Sequence, residues 1–146
     1  MGTKVREVMM SRPRSVTPQT PLNEVAQLMA AEDVGAIPVV EGDRLVGIVT
    51  DRDIVVRAIA KDKDTRGMPA SEVSSRELVT VDPEDDLSEA LQLMAQYQVR
   101  RLAVVDEGER LVGVVSQADV AMNVKEKDTG QLVEDISRAP QGPRTT

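Results

Sequence analysis

One ten-residue stretch occurs twice in this chain, and this repetition limits the fold more than any other feature. LVGIVTDRDI covers residues 45–54 and returns as LVGVVSQADV at residues 111–120, a shift of 66 positions. In each copy an apolar run ends in a hydroxyl residue, Thr50 or Ser116, and an aspartate follows three residues later, Asp53 or Asp119. The chain therefore contains two copies of one small unit.

The match between the copies continues before these stretches, at a shift of 65 positions. Val16 and Leu22, for example, correspond to Val81 and Leu87. The shift increases to 66 where EGDR becomes DEGER, so one residue was inserted there. Turns accept insertions and strands do not, which predicts a turn at this place. A period of this length is typical of two tandem modules, and modules this small are expected to share a core.

Each copy is predicted to fold as β-α-β-β-α, which makes the protein an α/β (α+β) type. For copy one, residues 1–66, we predict a short helical segment over 4–10 and a strand over 15–17. A helix then opens at Thr20-Pro21 with the Thr20 hydroxyl as its N-cap, and its inward residues are Leu22, Val25, Ala26, Leu28 and Met29. Largely buried strands follow over 36–40 and 45–50, and Thr50 caps a second helix that runs to about residue 60 with Ile54, Val55, Ala58 and Ile59 inward. For copy two, residues 67–125, we predict strands over 78–81, 102–105 and 111–116, a helix over 86–96 with an Asp86–Glu89 capping box, and a helix to about residue 124. The tail, residues 126–146, is predicted to hold one short helix around Leu132 and Ile136 before a frayed end.

Composition excludes several classes of function. The net charge is −7 and Tyr97 is the single aromatic residue, so the basic surface and stacking residues of a nucleic-acid-binding protein are missing. The chain has neither cysteine nor histidine, which removes disulfides, thiolate chemistry and the commonest general base. No apolar run is long enough for a signal peptide or a membrane span, which favours a soluble cytoplasmic protein without membrane contact.

The repeated motifs carry a resemblance to a known family. A tandem pair of β-α-β-β-α copies, with VGAIPVV or VRRLAVV at the second strand and the hydroxyl-x-x-Asp motif after the third, resembles a CBS-domain pair, or Bateman module. The chain is also similar to free-standing bacterial members such as the hypoxic response proteins. The resemblance covers roughly residues 4 to 124. It implies a pair of repeats related by a pseudo-twofold axis, with two clefts between the sheets.

The resemblance also implies a ligand. Family members often bind adenosine nucleotides or related adenosyl compounds, so AMP, ADP or ATP is the expected ligand and no other cofactor is required. The family's ribose-binding aspartates correspond to Asp53 and Asp119, and its hydroxyl residues near phosphate to Thr50 and Ser116. Its basic phosphate contacts correspond to Arg52, Arg100 and Arg101, whereas copy one has Gly35 and Ala36 where copy two has the arginine pair. The remaining residues assigned to the nucleotide sites are Val16, Ile37, Pro38, Val81 and Ala103.

Each of these residues also has a simpler interpretation. A hydroxyl-x-x-Asp pattern is a capping box that stabilises a helix start and binds nothing, although a cap needs only one carboxylate oxygen and is compatible with a ligand. Arg100 and Arg101 could solvate a rim, and Arg52 could pair with Asp51 and Asp53. The methionines are interpreted as core residues and Tyr97 as the edge of a core, while Pro38 indicates a strand edge or a bend beside a site.

Two functions from different classes follow. The first is a regulatory module that senses an adenosine nucleotide and acts through an unknown protein effector or a rearranged homodimer. The second is a dimeric interaction scaffold whose clefts stay empty. An enzyme is a distant third, because catalysis would have to use carboxylates, lysine or a metal, and no phosphate-binding loop or metal-spaced cluster is found in the sequence.

Overall fold

The computed structural model of the protein describes residues 2–127, so the predicted tail helix lies outside the described residues. Within them the chain forms six strands, three 3₁₀ turns and four helices. The strands are β1 Met10–Ser11, β2 Ala36–Glu41, β3 Arg44–Thr50, β4 Thr80–Val81, β5 Arg101–Val105 and β6 Leu111–Ser116. The helices are α1 Leu22–Glu32, α2 Asp51–Arg57, α3 Leu87–Tyr97 and α4 Gln117–Lys127, and the 3₁₀ turns are Val5–Glu7, Ile59–Lys61 and Ala70–Glu72. No helix in this described part is both long and apolar enough to cross a membrane.

The predicted fold class is confirmed, and so is the β-α-β-β-α order in each copy. The predicted helical segment over 4–10 is only a 3₁₀ turn, and strand β1, which follows it, was not predicted. The first strand of copy one is reduced to a single parallel bridge, in which Val16 lies beside Val39. Its equivalent in copy two is β4, where Val81 lies beside Val104 in a parallel pair with β5. The two copies therefore repeat the same pairing at the shift of 65 positions.

The chain divides into two compact units that do not follow the order of the sequence. The copy-one unit contains residues 12–78 and 105–112, and the copy-two unit contains residues 2–11, 79–104 and 113–127 of the described chain. Each unit thus includes the first segment of the other copy, which is residues 2–11 for copy one and residues 67–78 for copy two. This exchange follows from where that segment finds its hydrogen bonds.

In the copy-two unit the N-terminal segment packs on the turn before α3. The backbone N–H of Val5 donates to the carbonyl of Asp85 at 2.8 Å, and that of Leu87 donates to Thr3 at 2.9 Å. The Val5 side chain is fully buried. The segment then forms β1, which pairs antiparallel with β6 at the edge of a sheet ordered β1-β6-β5-β4.

In the copy-one unit the corresponding segment of copy two packs on the start of α1. The N–H of Leu22 donates to the carbonyl of Met68 at 2.9 Å, and the N–H of Ala70 donates to Thr20 at 2.8 Å. The antiparallel hairpin of β2 and β3 covers this helix, with an irregularity between Val39 and Val40. The core is aliphatic; its buried residues are Val16, Leu22, Val25, Met29, Ile37, Val39, Val49, Ile54, Ala58, Met68, Ala70 and Val73.

Two predicted helix caps are wrong. Pro21, not Thr20, is the N-cap of α1, and the Thr20 hydroxyl instead accepts a hydrogen bond from the N–H of Thr17 at 3.0 Å. Asp86 is the N-cap of α3, but its side chain caps no N–H there. The carboxylate lies 3.4 Å from the ammonium group of Lys4, which the sequence around residue 86 does not indicate.

Some predicted burial is also wrong. Ile54 and Ala58 of the second helix are buried as predicted, but Val55 and Ile59 are 53% and 56% exposed. The helix ends at Arg57 and continues as a 3₁₀ turn, so the helical spacing does not extend to residue 59. The remaining errors are Ala26 and Tyr97, which are exposed, and strand β3, which alternates between buried and half-buried residues instead of being buried throughout.

Close packing at β1 makes Gly113 the most constrained glycine of the described chain. A Cβ atom at this position would lie 2.6 Å from Sδ of Met9 and 2.9 Å from the carbonyl oxygen of Met10. The methionine side chain can move, but the backbone carbonyl belongs to the β1–β6 pair. We predict that Gly113→Ala lowers the free energy of unfolding by about 1–3 kcal/mol, measured by urea denaturation.

The matched control is Gly47, which occupies the same place in copy one. A Cβ atom there would lie 3.1 Å from the Ser74 hydroxyl, which can rotate, and 3.2 Å from the carbonyl oxygen of Ser75, and both distances are longer than those at Gly113. Gly47→Ala is therefore expected to cost less than Gly113→Ala. Equal losses in the two variants would contradict the packing described at β1.

Candidate functional site

In copy one the predicted motif forms the start of α2. The N–H of Thr50 donates to Oδ2 of Asp53 at 2.9 Å, and the N–H of Asp53 donates to the Thr50 hydroxyl at 3.0 Å. These two reciprocal bonds constitute a capping box, with Thr50 in extended conformation as the N-cap. The simpler interpretation of the motif is therefore confirmed as its structural role.

Copy two repeats this arrangement at the start of α4. The N–H of Asp119 donates to the Ser116 hydroxyl at 3.0 Å, and the N–H of Ser116 donates to Oδ2 of Asp119 at 3.3 Å. The second bond is longer than its equivalent in copy one. Ser116 and Asp119 are both half-buried, so they remain accessible from the surface of the copy-two unit.

The caps leave one oxygen of each carboxylate available. Oδ1 of Asp53 lies 3.8 Å from Nε of Arg57, a distance at which the charges attract without a close hydrogen bond. Within residues 2–123, only Oδ2 of Asp119 accepts a hydrogen bond, and Oδ1 accepts none. An ionised carboxylate oxygen of this kind can accept hydrogen bonds from a ribose hydroxyl while its partner oxygen continues to cap the helix.

The starts of α2 and α4 are each hydrogen-bonded to a residue that precedes a strand of the same copy, β2 in copy one and β5 in copy two. In copy one the N–H of Asp51 donates to the carbonyl of Gly35 at 2.9 Å, and in copy two the N–H of Gln117 donates to the carbonyl of Arg100 at 2.8 Å. Arg100 therefore lies beside the helix start that carries Asp119. The observed contact is between backbone atoms, and it joins the residue before β5 to the start of the helix that carries Asp119.

The two helix starts differ in charge, as the sequence predicts. At Gly35 a Cβ atom would lie 3.0 Å from Oδ2 of Asp51, so copy one has a carboxylate where a side chain at residue 35 would begin. At the equivalent place copy two has Arg100, Arg101 and the neutral Gln117. Asp51 and Gln117 were not singled out by the sequence patterns.

The alternative interpretation of Arg52, an ion pair with Asp51 and Asp53, is not found. Its guanidinium makes no ion pair with the described residues, and only its backbone N–H donates to Asp51, at 2.8 Å. Asp53 instead faces Arg57, one helical turn further along. Arg101 is likewise exposed and forms no ion pair with the side chains of residues 2–123.

The five remaining predicted site residues are buried core residues of their units. They are Val16, Ile37 and Pro38 in copy one and Val81 and Ala103 in copy two. Their positions follow from the strand pairing, in which Ile37 lies opposite Val49 and Ala103 lies beside Thr80. They position the helix starts by holding the strands together.

Comparison with known proteins agrees with this geometry. Residues 5–59 and 70–126 both match the model of the CBS domain. The chain belongs to the CBS-domain family. It is 43% identical over 136 residues to the CBS domain-containing protein YhcV of Bacillus subtilis, covering 92% of this chain and 96% of that one. It is 36% identical over 135 residues to hypoxic response protein 1 of Mycobacterium tuberculosis, covering 92% and 94%.

Solved structures of CBS proteins have the same fold. Hypoxic Response Protein I with two coordinated zinc ions is 37% identical with a TM-score of 0.75, covering 83% of this chain and 98% of that one. The CBS domain pair of protein MJ0100 in complex with 5′-methylthioadenosine and S-adenosyl-L-methionine is 25% identical with a TM-score of 0.76, covering 88% and 100%. CBSX2 in complex with AMP is 25% identical with a TM-score of 0.76, covering 86% and 98%.

One of these structures, that of Hypoxic Response Protein I, contains two coordinated zinc ions. Zinc sites are built mainly from cysteine and histidine, and the chain has neither. Within the described residues no group of three or more carboxylates is arranged to hold a metal ion. The residues of this CBS pair therefore do not fit a zinc site built from cysteine and histidine.

Proposed function

We propose that this CBS pair is a regulatory module that binds an adenosine nucleotide at its two helix starts. The observation that carries the proposal is the arrangement in copy two, where Arg100 lies beside the capped helix start of Ser116 and Asp119. Similar CBS structures contain AMP or adenosyl compounds, which supports the choice of ligand class. No residue is assigned a catalytic role.

Each group at this site has a chemical counterpart in a nucleotide. The available oxygen of Asp119 accepts hydrogen bonds from the ribose hydroxyls, as Asp53 does in copy one. The Arg101 guanidinium offers a planar set of donors that matches a phosphate. Phosphate also favours the first amides of α4, a helix of 11 residues, beside Ser116. Copy two therefore recognises phosphate more strongly than copy one, which has Asp51 at the equivalent place.

A ligand that binds only the folded protein should raise its melting temperature. At a hundredfold excess over its dissociation constant, AMP, ADP or ATP should add about 2.7 kcal/mol to the free energy of unfolding. For a chain of this length that corresponds to a rise of about 5–10 °C, which differential scanning fluorimetry measures. No shift with these nucleotides, S-adenosylmethionine or nicotinamide dinucleotides would contradict the proposal and favour the ligand-independent scaffold.

We also propose that the protein forms a homodimer through apolar helix surfaces. Several large apolar side chains are exposed on the helices and turns of each unit. They are Val55, Val56 and Ile59 in the copy-one unit and Leu91, Tyr97 and Met122 in the copy-two unit. Three such residues close together in the sequence are costly to leave in water and are typical of an association surface.

The double variant Val55→Lys, Ile59→Lys is expected to convert the dimer to a monomer of 15.9 kDa. Two charges would have to be desolvated in the dimer, whereas in the monomer both positions already face water. Sedimentation velocity distinguishes the two states. Gln19→Lys, in an exposed loop, is the control and should leave the dimer intact. A wild-type protein that sediments as a monomer at micromolar concentration would contradict the dimer.

A further inference from the structure

A cavity of about 630 Å³ opens in the copy-one unit, where the two hairpin turns meet. Its apolar wall includes Val40, Leu111 and Val112, and its polar lining includes Arg12, Asp43 and Arg110. None of the residues assigned to the nucleotide sites lines it. The cavity is therefore a separate feature that the proposed function does not use.

Hydrogen bonds between the β2–β3 turn and the β5–β6 turn hold the backbone around this cavity in place. The N–H of Leu111 donates to the carbonyl of Asp43 at 2.8 Å, and the N–H of Leu45 donates to Glu109 at 3.1 Å. The Arg44 guanidinium also lies 3.3 Å from the Glu109 carboxylate. The side chains at the cavity are thus attached to a backbone that is held in place on both sides.

Asp106 holds the Arg110 side chain in one orientation. Its carboxylate accepts hydrogen bonds from the N–H of Arg110 at 3.0 Å and of Gly108 at 2.9 Å, and from Nε of Arg110 at 2.9 Å. The backbone hydrogen bond from Arg110 is the main reason why the pKa of Asp106 lies below its usual value. These contacts use only Nε of the guanidinium, so its two terminal nitrogens keep their donors for another acceptor.

Two further charged groups at the cavity lack ion-pair partners within the described chain. They are the guanidinium of Arg12 and the carboxylate of Asp43. The backbone of Arg12 is in the left-handed region, with φ of 53°, a conformation that non-glycine residues seldom adopt. Strain of this kind is frequently found at ligand sites, because the rest of the structure must hold it.

We propose that this cavity binds an α-amino acid with an aliphatic side chain. Arg12 and the terminal nitrogens of Arg110 would bind its carboxylate, for which two guanidinium groups supply matched donors. The Asp43 carboxylate would bind its ammonium group, and the side chain would lie against Val40, Leu111 and Val112. A ligand with one positive and one negative charge is favoured because the cavity offers unpaired groups of both signs beside an apolar wall.

The test is a titration of the full chain with leucine, valine and methionine, followed by amide chemical shifts and calorimetry. We expect saturable binding with shifts at Asp43 and Arg110. Arg12→Asn, which tolerates the left-handed backbone, and Asp43→Asn should each weaken binding roughly tenfold or more. Arg14→Asn and Glu107→Gln change charges in the same loops without lining the cavity and should bind as the wild type does.

Two analogues isolate the charged groups of the ligand. 4-Methylpentanoate lacks the ammonium group and isoamylamine lacks the carboxylate, so both should bind more weakly than leucine. Binding of 4-methylpentanoate as tight as that of leucine would overturn the proposal, since the cavity would then be a simple anion site. No saturable binding of any of the three amino acids, or equal losses in the control variants, would also overturn it.

Discussion

Replacing Leu22 by alanine is expected to lower the free energy of unfolding by about 2–5 kcal/mol. Leu22 is the first residue of α1, is fully buried, and belongs to the aliphatic core of the copy-one unit. Removing its side chain leaves a cavity at the place where the first segment of copy two packs on the helix. The backbone bond from Leu22 to Met68 does not require the side chain, so the cost arises from packing alone.

Urea denaturation of Leu22→Ala and Leu91→Ala tests this prediction. Leu91 lies on α3 and is 38% exposed, so its truncation removes fewer contacts and should cost less. Helix propensity does not separate the two variants, because both replace leucine by alanine within a helix. Similar losses in both variants would contradict the central position of Leu22 in the core.

The repeat made much of the fold predictable. Because the copies align at fixed shifts, each element predicted in one copy supported its equivalent in the other, and the order of strands and helices was obtained from the sequence alone. The one-residue insertion also falls between two paired strands, β5 and β6, as the tolerance of turns predicts.

The exchange of first segments could not be predicted in the same way. Val5 and Ala70 have equivalent positions in the two copies, and nothing in the local pattern indicates which copy each one packs against. The answer depends on backbone hydrogen bonds between residues far apart in the sequence, such as those from Val5 to Asp85. The same distance explains why the contact of Asp86 with Lys4 was missed and a capping box was expected instead.

The site was predictable to the extent that it is local. The capping boxes of Thr50 and Ser116 follow from residues three positions apart and were found as expected. The proximity of Arg100 to the start of α4 depends on a hydrogen bond between residues 100 and 117, which sequence spacing does not specify. Whether Arg52 pairs with Asp51 likewise depends on side-chain conformation, which adjacent positions in the sequence do not specify.

Variants of the two helix starts should separate ribose binding from phosphate binding. If Asp119 binds ribose, Asp119→Asn should weaken AMP by about 1.5–3 kcal/mol, the value of a charge-assisted hydrogen bond. Arg101→Ala should weaken ATP more than AMP and leave adenosine nearly unchanged, because the guanidinium recognises phosphate charge. Asp53→Asn should affect the site of copy one alone. Affinities for all three ligands are measured by calorimetry.

Two controls make these losses interpretable. Asparagine remains an effective helix cap, so Asp119→Asn should retain most of its stability while its affinity falls. Arg14→Ala removes an exposed arginine outside the assigned sites and should leave all three affinities unchanged. Equal losses of adenosine, AMP and ATP in Arg101→Ala would show that this arginine does not recognise phosphate.

The most direct measurement is a calorimetric titration of the wild-type protein and Asp119→Asn with AMP, under identical conditions. We predict saturable binding to the wild-type protein and, in the variant, a loss of about 1.5–3 kcal/mol at one site with the fold retained. Absence of binding to the wild type, or the same affinity in both proteins, would contradict the proposal that the start of α4 binds an adenosine nucleotide.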